Sequence, residues 1–467
     1  MKFGGTSMGS AARIRTAAAI TAAERANRPL AIVVSAMAKV TDLLLETLRQ
    51  AESGDCTATE KNIAGLRERH ETAARELLAD PHAVIAGIGA LIAEFERSSQ
   101  GILLLGDRPP RSVDEAVAIG ERLTALLMAA FLTETGTPAE AVNAARVVVT
   151  DSVFGNATPM MEATRQRAAA VVRPMLDAGL VAVMTGFNGA TADGKPTTLG
   201  RGGSDFSAAI LAGALDADEL WIWTDVDGIM TADPRLVKDA RVLDEVTYAE
   251  AAELAYNGAK VLHPRTLAPL VAKQIPVWSK NSFNLDAPGT HIVPALRADE
   301  PRGARAVTSM ANVALVSMEP ASASISGTRV MARALDALDI VNAEVLTLSS
   351  SSYRQSFCFL VRKDELPVVL KGLEEALALE LEHGYVKPFE VDENVGLLAV
   401  VGEGMRGVPG LAGRVFTAVS REGISIIAIA QGSSELTINL VVSRDGLERA
   451  VQAIHAECGL GRAAVTA

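Results

Sequence analysis

The sequence predicts an α/β protein, in which an α/β/α sandwich around a mainly parallel sheet is followed by two smaller α+β modules. Three observations lead to this prediction. Short apolar runs alternate with helical patterns over the first part of the chain, a charged segment with Pro and Gly then interrupts the alternation, and the last part contains a weak internal repeat. Alternating strands and helices favour a parallel sheet that is covered by helices on both faces.

The elements of the first part follow one another in this alternation. Buried strands are expected at 30–37, 180–189, 219–228 and 275–281. Helices are expected in a long region up to about residue 105 and at 114–132 (with Asp114 as N-cap), 204–215 and 249–263. The stretches rich in Gly, Ser and Thr fall at the carboxyl ends of the strands, which is where open α/β sheets bind their ligands.

The second part of the chain begins with a predicted linker at 297–307. Residues 327–361 then match residues 412–442, and each copy reads as a helix, a strand, a serine-rich turn and a strand. A spacing of roughly 80 residues suits two βαββαβ modules better than a solenoid. The predicted domains are a catalytic domain at 1–295, a linker region at 296–310 and two modules at 311–388 and 389–467.

Charge, apolar run length and cysteine and histidine content limit which partners, cellular setting and metal sites are expected. A net charge of −12 argues against nucleic acid and anionic membranes, because like charges repel. The longest apolar runs, such as 30–38 and 179–187, are too short to span a bilayer. Cys56, Cys358 and Cys458 are odd in number and form no CxxC pair, which predicts a reducing, cytoplasmic setting. The scattered histidines suggest no metal site.

The first candidate motif lies at the start of the chain, where Lys2 is followed by Gly4 and Gly5. Glycines let main-chain amides approach a phosphate closely, and a lysine beside them neutralises charge on a transferring phosphoryl group. The spacing fits neither a Walker A loop, in which the lysine follows the glycines, nor GxGxxG. On its own the motif is equally compatible with a tight turn beside a solvated lysine.

The second motif spans residues 196–209 and places three glycines directly before a predicted helix. Free amides at the helix N-terminus make it an anion site, and Arg201 can hold a carboxylate with two parallel hydrogen bonds. The alternative is that Ser204 and Asp205 only cap the helix.

Three further features are less specific when taken singly. The acidic loop that carries Thr224 and Asp225 and closes with Arg235 suits a nucleoside, although locally it reads as a connection rich in turn formers. Lys260 near a helix end either satisfies helix carbonyls or supplies a second cation over phosphate. Glu121 lies on an apolar helix stripe, where a carboxylate is costly unless it pairs with a ligand's ammonium group or a buried cation.

Taken together, these groups predict phosphoryl transfer. One edge of the predicted sheet receives two lysines, an arginine, an acid at a helix start and three glycine turns. The sequence shows no Ser-His-Asp or Cys-His arrangement that would favour nucleophilic catalysis instead. In phosphoryl transfer the protein mainly positions groups and stabilises spread negative charge, which these residue types can do.

The sequence resembles the aspartokinase family of the amino-acid kinase superfamily over essentially the whole chain. The motifs that carry the resemblance occur in the family's order: KFGGTS, VVSAM, TTLGRGGSD, WTDVDGI, DPR, GAKVLHPRT and AIAQGSSE. Residues 101–129 and 400–416 are most similar to the kinase part of bifunctional aspartokinase–homoserine dehydrogenases, and the sequence ends after the repeat, so no dehydrogenase part is expected. The resemblance implies an amino-acid kinase fold followed by ferredoxin-like ACT domains.

The resemblance also implies an activity, namely ATP-dependent phosphorylation of the side-chain carboxylate of L-aspartate to 4-phospho-L-aspartate, the first step of aspartate-family amino-acid biosynthesis (lysine, threonine). The implied catalytic residues are Lys2, Lys260 and Asp205, which holds the two lysines. The implied aspartate contacts are Ser35, Thr41, Glu121, Phe187, Arg201 and Ser204. The implied ATP contacts are Lys2, Gly4, Gly5, Thr198, Thr224, Asp225, Arg235 and Lys260. Mg²⁺ would be held mainly by the nucleotide phosphates.

The serine-rich repeats resemble tandem ACT domains, which bind amino acids between subunits. Threonine or lysine is thus a possible effector, and a homodimer or higher homo-oligomer is implied. The implied effector contacts are Gln431, Ser433, Ser434 and Glu435. The first repeat departs from the family at Leu348 and Ser352, where glutamine and an acid are usual, so weak or altered feedback is expected. In the family one ACT domain is inserted into the other, which implies that Ala306–Met310 pairs with the second module.

Two alternatives remain open beside an aspartate kinase. One is an amino-acid kinase for another carboxylate substrate, and the other is an amino-acid sensor with a weak or dead kinase domain. The presence of Lys2, Lys260, Asp205 and Arg201 favours an enzyme. Family members usually carry several residues before the lysine motif, so we expect either an upstream start or a shortened first strand. Met230 stands where the family often has Tyr, so altered packing against adenine is expected.

Overall fold

The chain is divided into two compact units that are discontinuous in sequence. The computed structural model describes residues 1–259, 262, 264–296, 303–321, 325–352 and 356–461. The first unit comprises Met1–Gly228, Asp244–Tyr248 and Leu262–Ala295. The second comprises Ile229–Leu243, Ala249–Val261 and Leu296–Ala467. We call Ile229–Leu243 and Ala249–Val261 the inserted segments of the second unit. The domain boundaries at 295, 310 and 388 stay predictions.

The first unit contains the predicted alternation of strands and helices. Its strands are β1 Lys2–Phe3, β2 Ala31–Val34, β3 Ala139–Val142, β4 Val149–Thr150, β5 Val181–Thr185, β6 Asn188–Thr191, β7 Pro196–Thr198, β8 Leu220–Thr224, β9 Glu245–Thr247, β10 Val277–Asn281 and β11 Thr290–Val293. Its helices are α1 Ala11–Arg25, α2 Val40–Glu52, α3 Cys56–Leu77, α4 His82–Leu105, α5 Pro110–Val117, α6 Ile119–Glu134, α7 Met161–Val171, α8 Arg173–Asp177, α9 Gly203–Leu215 and α11 Ala268–Val271.

The strands of the first unit form a large, mainly parallel sheet. Its order is β3-β5-β2-β1-β8-β10-β11-β9, and β10–β11 is its antiparallel pair. A smaller sheet has the order β4-β6-β7. The runs at Ala31–Val34 and Val181–Thr185 are rich in β-branched residues and almost entirely buried, as expected for strands that are covered on both faces. The predicted α/β/α sandwich is therefore confirmed.

The helix predicted at 114–132 differs from the structure at its start. The helix begins at Pro110, and a break at Ala118 divides it into α5 and α6. Proline is favoured at the first helical position because its missing N–H is not needed there, so Asp114 lies inside α5 and is not the N-cap. The helix expected at 249–263 is also shorter, since α10 spans Tyr248–Tyr256.

One apolar helical stretch, Pro110–Glu134, is long enough to cross a membrane by length and composition. Core helices pass the same test, and 72% of its most apolar window is buried within the fold. Buried apolar residues of this stretch, among them Leu123, Leu127 and Leu132, belong to the core that also contains Phe3 and Val183. We therefore interpret this stretch as a core element of the first unit.

The second unit is built around one antiparallel sheet. Its strands are β12 Ala306–Met318, β13 Thr347–Ser350, β14 Phe357–Arg362, β15 Glu390–Val401, β16 Ile426–Gln431 and β17 Thr437–Ser443. Its helices are α10, of which only Tyr248 belongs to the first unit, α12 Gly327–Ile340, α13 Leu366–Ala376, α14 Ala378–Glu382, α15 Leu411–Arg421 and α16 Leu447–Glu457. The sheet order is β13-β14-β12-β15-β17-β16.

The two modules of the second unit share their central strands. Val313–Met318 of β12 pairs with β14 on one side. On its other side β12 pairs with β15, where Ala306–Met310 lies opposite Leu397–Val401 and the register becomes irregular after Met310. The prediction that Ala306–Met310 joins the second module is confirmed. These residues also form the end of the predicted linker region, so that part of the linker is a strand; residues 297–302 lie outside the described residues.

Candidate active site

The candidate site lies where five parallel strands of the first unit end. β5, β2, β1, β8 and β10 are neighbours, and Phe3 pairs with both Val34 and Trp223. The chain passes from β1 to β2 on one side, while β8 lies on the other side. β1 is therefore a topological switch point, where such sheets open a crevice for ligands. The predicted glycine and hydroxyl residues follow these strand ends.

Lys2 and Asp205 meet at this switch point. Lys2 lies on β1 and is 7% exposed, and its Nζ lies 2.6 Å from Oδ1 of Asp205, the third residue of α9. A Cβ on Gly4 would lie 3.3 Å from the same Nζ, so a glycine leaves the lysine room. The predicted pairing of Asp205 with Lys2 is present, and the pair fixes a cation at the strand edge.

The loop before α9 contains two glycines in the left-handed region. Gly200 and Gly202 have φ angles of 76° and 72°, a left-handed conformation that favours glycine. Arg201 lies exposed between them, and Ser204 is in the first turn of α9. A Cβ on Gly186, which follows β5, would lie 2.7 Å from the Cβ of Ser204. The close approach of these two segments therefore depends on glycine at position 186.

Glu121 is a buried carboxyl group at the same sheet edge. It is 2% exposed, and its Oε1 accepts a hydrogen bond from the main-chain N–H of Ala36 at 3.3 Å. Its Oε2 has no hydrogen-bond partner among the residues that the structure describes. Burial raises the pKa of the Glu121 carboxyl to about 8, although the Ala36 N–H partly opposes the shift. A ligand cation at Oε2 would relieve the cost of this buried carboxylate.

Phe187 lies beside the start of α9. Its φ of 68° is unusual for a residue with a side chain, and a Cβ on Gly203 would lie 2.6 Å from its ring. Its carbonyl accepts from Leu199 N–H at 2.9 Å. Ser35 follows β2, Thr41 is the second residue of α2, and both are half-buried. The strained turn at Phe187 also divides the predicted strand 180–189 into β5 and β6.

The predicted nucleotide contacts are divided among several parts of the chain. Thr224 ends β8, and its hydroxyl donates to exposed Asp225 at 3.3 Å. Arg235 lies in an inserted segment of the second unit, where it is exposed and pairs with Asp233. Lys260 lies outside the described residues.

Thr198 is buried, and its hydroxyl donates to Oδ1 of Asp114 at 2.7 Å. Sequence reasoning interpreted Asp114 only as a helix cap and did not connect it to the site. The sequence does contain a hint of this contact. Asp114 precedes Glu121 by seven residues, which is two helical turns, so both carboxylates fall on one helix face, where an unpaired carboxylate is costly.

The predicted effector contacts lie at the end of β16 and in the turn after it, in the second unit. Gln431, Ser433 and Ser434 are exposed. Glu435 has a φ of 55°, and its carboxylate accepts from Gly407 N–H at 2.8 Å. The turn at Glu435 is thereby tied to the loop before α15.

The chain belongs to the amino acid kinase family, whose model matches residues 1–281, and residues 398–458 match an ACT domain. Within that family it groups with the aspartokinases. It is 32% identical to the lysine-sensitive aspartokinase 3 of Escherichia coli (strain K12), and the match covers 97% of each chain. The predicted family and the predicted amino-acid kinase and ACT folds are confirmed.

Other relatives show how much of a longer protein the chain resembles. It is 34% identical to the bifunctional aspartokinase/homoserine dehydrogenase 1 of Arabidopsis thaliana, of which it spans about half (51%). Among solved structures, E. coli aspartokinase III in complex with aspartate and ADP (R-state) is similar with a TM-score of 0.84 and 30% identity, over 98% of each chain. The complex of the same enzyme with lysine and aspartate (T-state) gives a TM-score of 0.78, with 31% identity over 98% of each chain.

Proposed function

We propose that the chain is an aspartate kinase, which transfers the γ-phosphoryl group of ATP to the side-chain carboxylate of L-aspartate. The observation that carries the proposal is a buried carboxylate with an unpaired oxygen, Glu121, in the same unit and at the same sheet edge as the Lys2–Asp205 pair. One group suits an ammonium and the other a phosphate. The similar E. coli aspartokinase III was solved with aspartate and ADP, which supports this choice of ligands.

The proposed chemistry requires charge stabilisation more than proton transfer. An oxygen of the aspartate side chain attacks the γ-phosphorus, the bond from phosphorus to the bridging β,γ-oxygen breaks, and ADP leaves. A carboxylate nucleophile is already deprotonated at neutral pH, so no general base is required. Lys2 then stabilises negative charge on the transferring group, and Asp205 holds the Lys2 ammonium group in place.

The proposed substrate contacts distinguish an α-amino acid from other carboxylates. Glu121 binds the ammonium group, while Arg201 and Ser204 bind the α-carboxylate. Ser35, Thr41 and Phe187 line the pocket. The same contacts would serve another amino acid with a side-chain carboxylate, so the length of the substrate is the point that an assay must decide.

In the first unit, the proposed nucleotide contacts are amides of Gly4 and Gly5 together with Thr198, Thr224 and Asp225. Arg235 and Lys260 belong to the second unit and stay predictions from the resemblance. Mg²⁺ would accompany the phosphates and neutralise part of their charge. Among the described residues, no group of three His, Cys, Asp or Glu side chains forms a cage for a metal ion. The cytoplasmic setting and the homo-oligomeric assembly stay predictions.

A hydroxamate assay tests the proposed activity directly, because hydroxylamine traps acyl phosphates. We expect hydroxamate only when ATP, magnesium and L-aspartate are all present. N-acetyl-L-aspartate, which lacks the ammonium group, should be inert, and L-glutamate reports on substrate length. A chain that makes no hydroxamate with L-aspartate, although it is folded by circular dichroism, would contradict the proposal and favour the sensor alternative.

We further propose that any feedback through the ACT modules is weak or altered. The second module keeps Gln431 and Glu435, whereas the first has Leu348 and Ser352 at the corresponding positions. Initial rates should therefore change little with micromolar lysine or threonine. Strong inhibition by either amino acid at micromolar concentration would show that Leu348 and Ser352 do not impair the effector site.

A further inference from the structure

Asp114 is a buried carboxylate with a complete set of hydrogen-bond donors. It is 2% exposed. Its Oδ2 accepts from the main-chain N–H groups of Thr198 and Gly155, both at 2.8 Å, and its Oδ1 accepts from the Thr198 hydroxyl at 2.7 Å. All three donors lie outside α5. Removing the acceptor would leave these donors unpaired in the interior, so Asp114 holds two other segments against its helix.

One side of this contact leads to the loop that binds the α-carboxylate in the proposed function. Thr198 is the last residue of β7, and Arg201 follows three residues later. The Thr198 carbonyl accepts from Ala157 N–H at 2.8 Å, and the next residue, Leu199, donates its N–H to Phe187. The start of the loop is therefore held on several sides, and Asp114 supplies two of these bonds.

The other side of the contact leads to the proposed ammonium site. The helix that carries Asp114 continues after the break at Ala118 into α6, whose third residue is Glu121. The carboxylate of Glu121 is fixed in turn by Ala36 N–H. Asp114 thus ties the segment that carries Glu121 to the segment that carries Arg201.

We propose that Asp114 is a positioning residue that sets the spacing between the ammonium site at Glu121 and the carboxylate site at Arg201 and Ser204; this inference rests on the proposed function. The ammonium and α-carboxylate groups of an amino acid are attached to one carbon atom. Both sites engage only if their separation is held within about 0.5 Å. Asp114 acts through Thr198 and touches no substrate.

The test compares the KM values for aspartate and ATP in two variants. Asp114→Ala should raise the KM for aspartate roughly 10-fold or more, and should change the KM for ATP less than about 3-fold. Asp114→Asn should restore the KM for aspartate to within about 3-fold of wild type, because an amide oxygen can accept both N–H groups while its NH₂ donates to the Thr198 hydroxyl. Exposed Glu115 on the same helix provides the control, Glu115→Ala.

Thr198→Val distinguishes a role of Thr198 in contacting the nucleotide from its role in linking Asp114 to the loop that carries Arg201. It removes the hydroxyl bond to Asp114 and leaves the main-chain bond, so it should raise the KM for aspartate by about 3- to 10-fold. A rise in the KM for ATP with an unchanged KM for aspartate would leave Thr198 with its proposed nucleotide contact only, and would overturn the inference.

Two other results would also overturn the inference. One is a folded Asp114→Ala variant with an unchanged KM for aspartate, and the other is an Asp114→Asn variant as impaired as Asp114→Ala. If Asp114→Ala does not fold, the KM values for aspartate of Asp114→Asn and Thr198→Val decide whether the inference holds. An inactive wild-type chain would instead refute the proposed function.

Discussion

Replacing Lys2 with methionine should lower kcat for phosphoryl transfer at least about 10²-fold, the scale of losing one preorganised electrostatic group. Methionine keeps much of the aliphatic stem and removes the charge that lies 2.6 Å from Asp205. The KM for aspartate should change much less, because Lys2 is assigned to the transferring phosphate. Steady-state rates measured by coupled ADP release at saturating substrates provide the test.

The Lys2 experiment needs a control for folding, because breaking a buried ion pair on one side costs about 3–5 kcal/mol. The double variant Lys2→Met/Asp205→Asn removes both charges and should regain stability without regaining rate. Lys371→Ala serves as a matched lysine control, because that side chain is 76% exposed and its partner Glu375 is 3.9 Å away. A folded Lys2→Met variant with a rate near wild type would remove Lys2 from the mechanism.

Replacing Glu121 with glutamine should raise the KM for aspartate roughly 10²-fold, since truncating one side of a buried charge pair costs about 2–5 kcal/mol. The amide oxygen can still accept from Ala36, so the fold should persist. The KM for ATP should stay within about 3-fold of wild type. Exposed Glu60 on α3 provides the control variant, Glu60→Gln. An unchanged KM for aspartate would place the ammonium site elsewhere.

Because the pKa of Glu121 is raised, the stabilities of wild type and Glu121→Gln should depend differently on pH. The folded protein holds the Glu121 proton up to about pH 8, whereas the unfolded chain releases it near its ordinary value of 4.5. Between these values the folded state binds more protons, so the Glu121 contribution to stability falls as pH rises, by about 1.4 kcal/mol per pH unit. Urea unfolding of wild type relative to Glu121→Gln should show this slope, which should level off above pH 8.

Aspartate binding should show the opposite trend with pH. An ammonium ligand needs the charged carboxylate, so the wild-type KM for aspartate should fall as pH rises towards 8, and the KM of Glu121→Gln should not follow it. Parallel pH profiles for the two proteins would contradict the role given to Glu121.

The sheet edge was predictable because its signals are local. Each of the five strands at the site ends in Gly, Ser or Thr or is followed directly by one of them. Parallel strands place those ends side by side, whatever the helices between them do. The pairing of Lys2 with Asp205 was implied by the resemblance to the aspartokinase family, and both residues lie at that edge. The resemblance also correctly placed Ala306–Met310 in the second module.

The missed features depend on contacts between distant positions. Asp114 meets Thr198, 84 residues later in the chain, and its position near a helix start suggested a cap. The break at Ala118 carries no proline or cap that would reveal it. The sequence did not reveal that the inserted segments belong to the second unit. Their residue patterns predict helices and turns, but such local patterns do not indicate which core a segment packs against.

The inserted segments limit which parts of the chain can be exchanged by recombination between relatives. Ala232 and Val237 are buried in one apolar cluster with Val415 and Ile454 of the second unit. Glu250 in the other inserted segment is 1% exposed and accepts from Glu403 N–H at 2.8 Å. A recombination event that exchanged only the residues after 295 would therefore separate these partners. The second unit can be exchanged intact between relatives only if Ile229–Leu243 and Ala249–Val261 are exchanged together with the residues after 295.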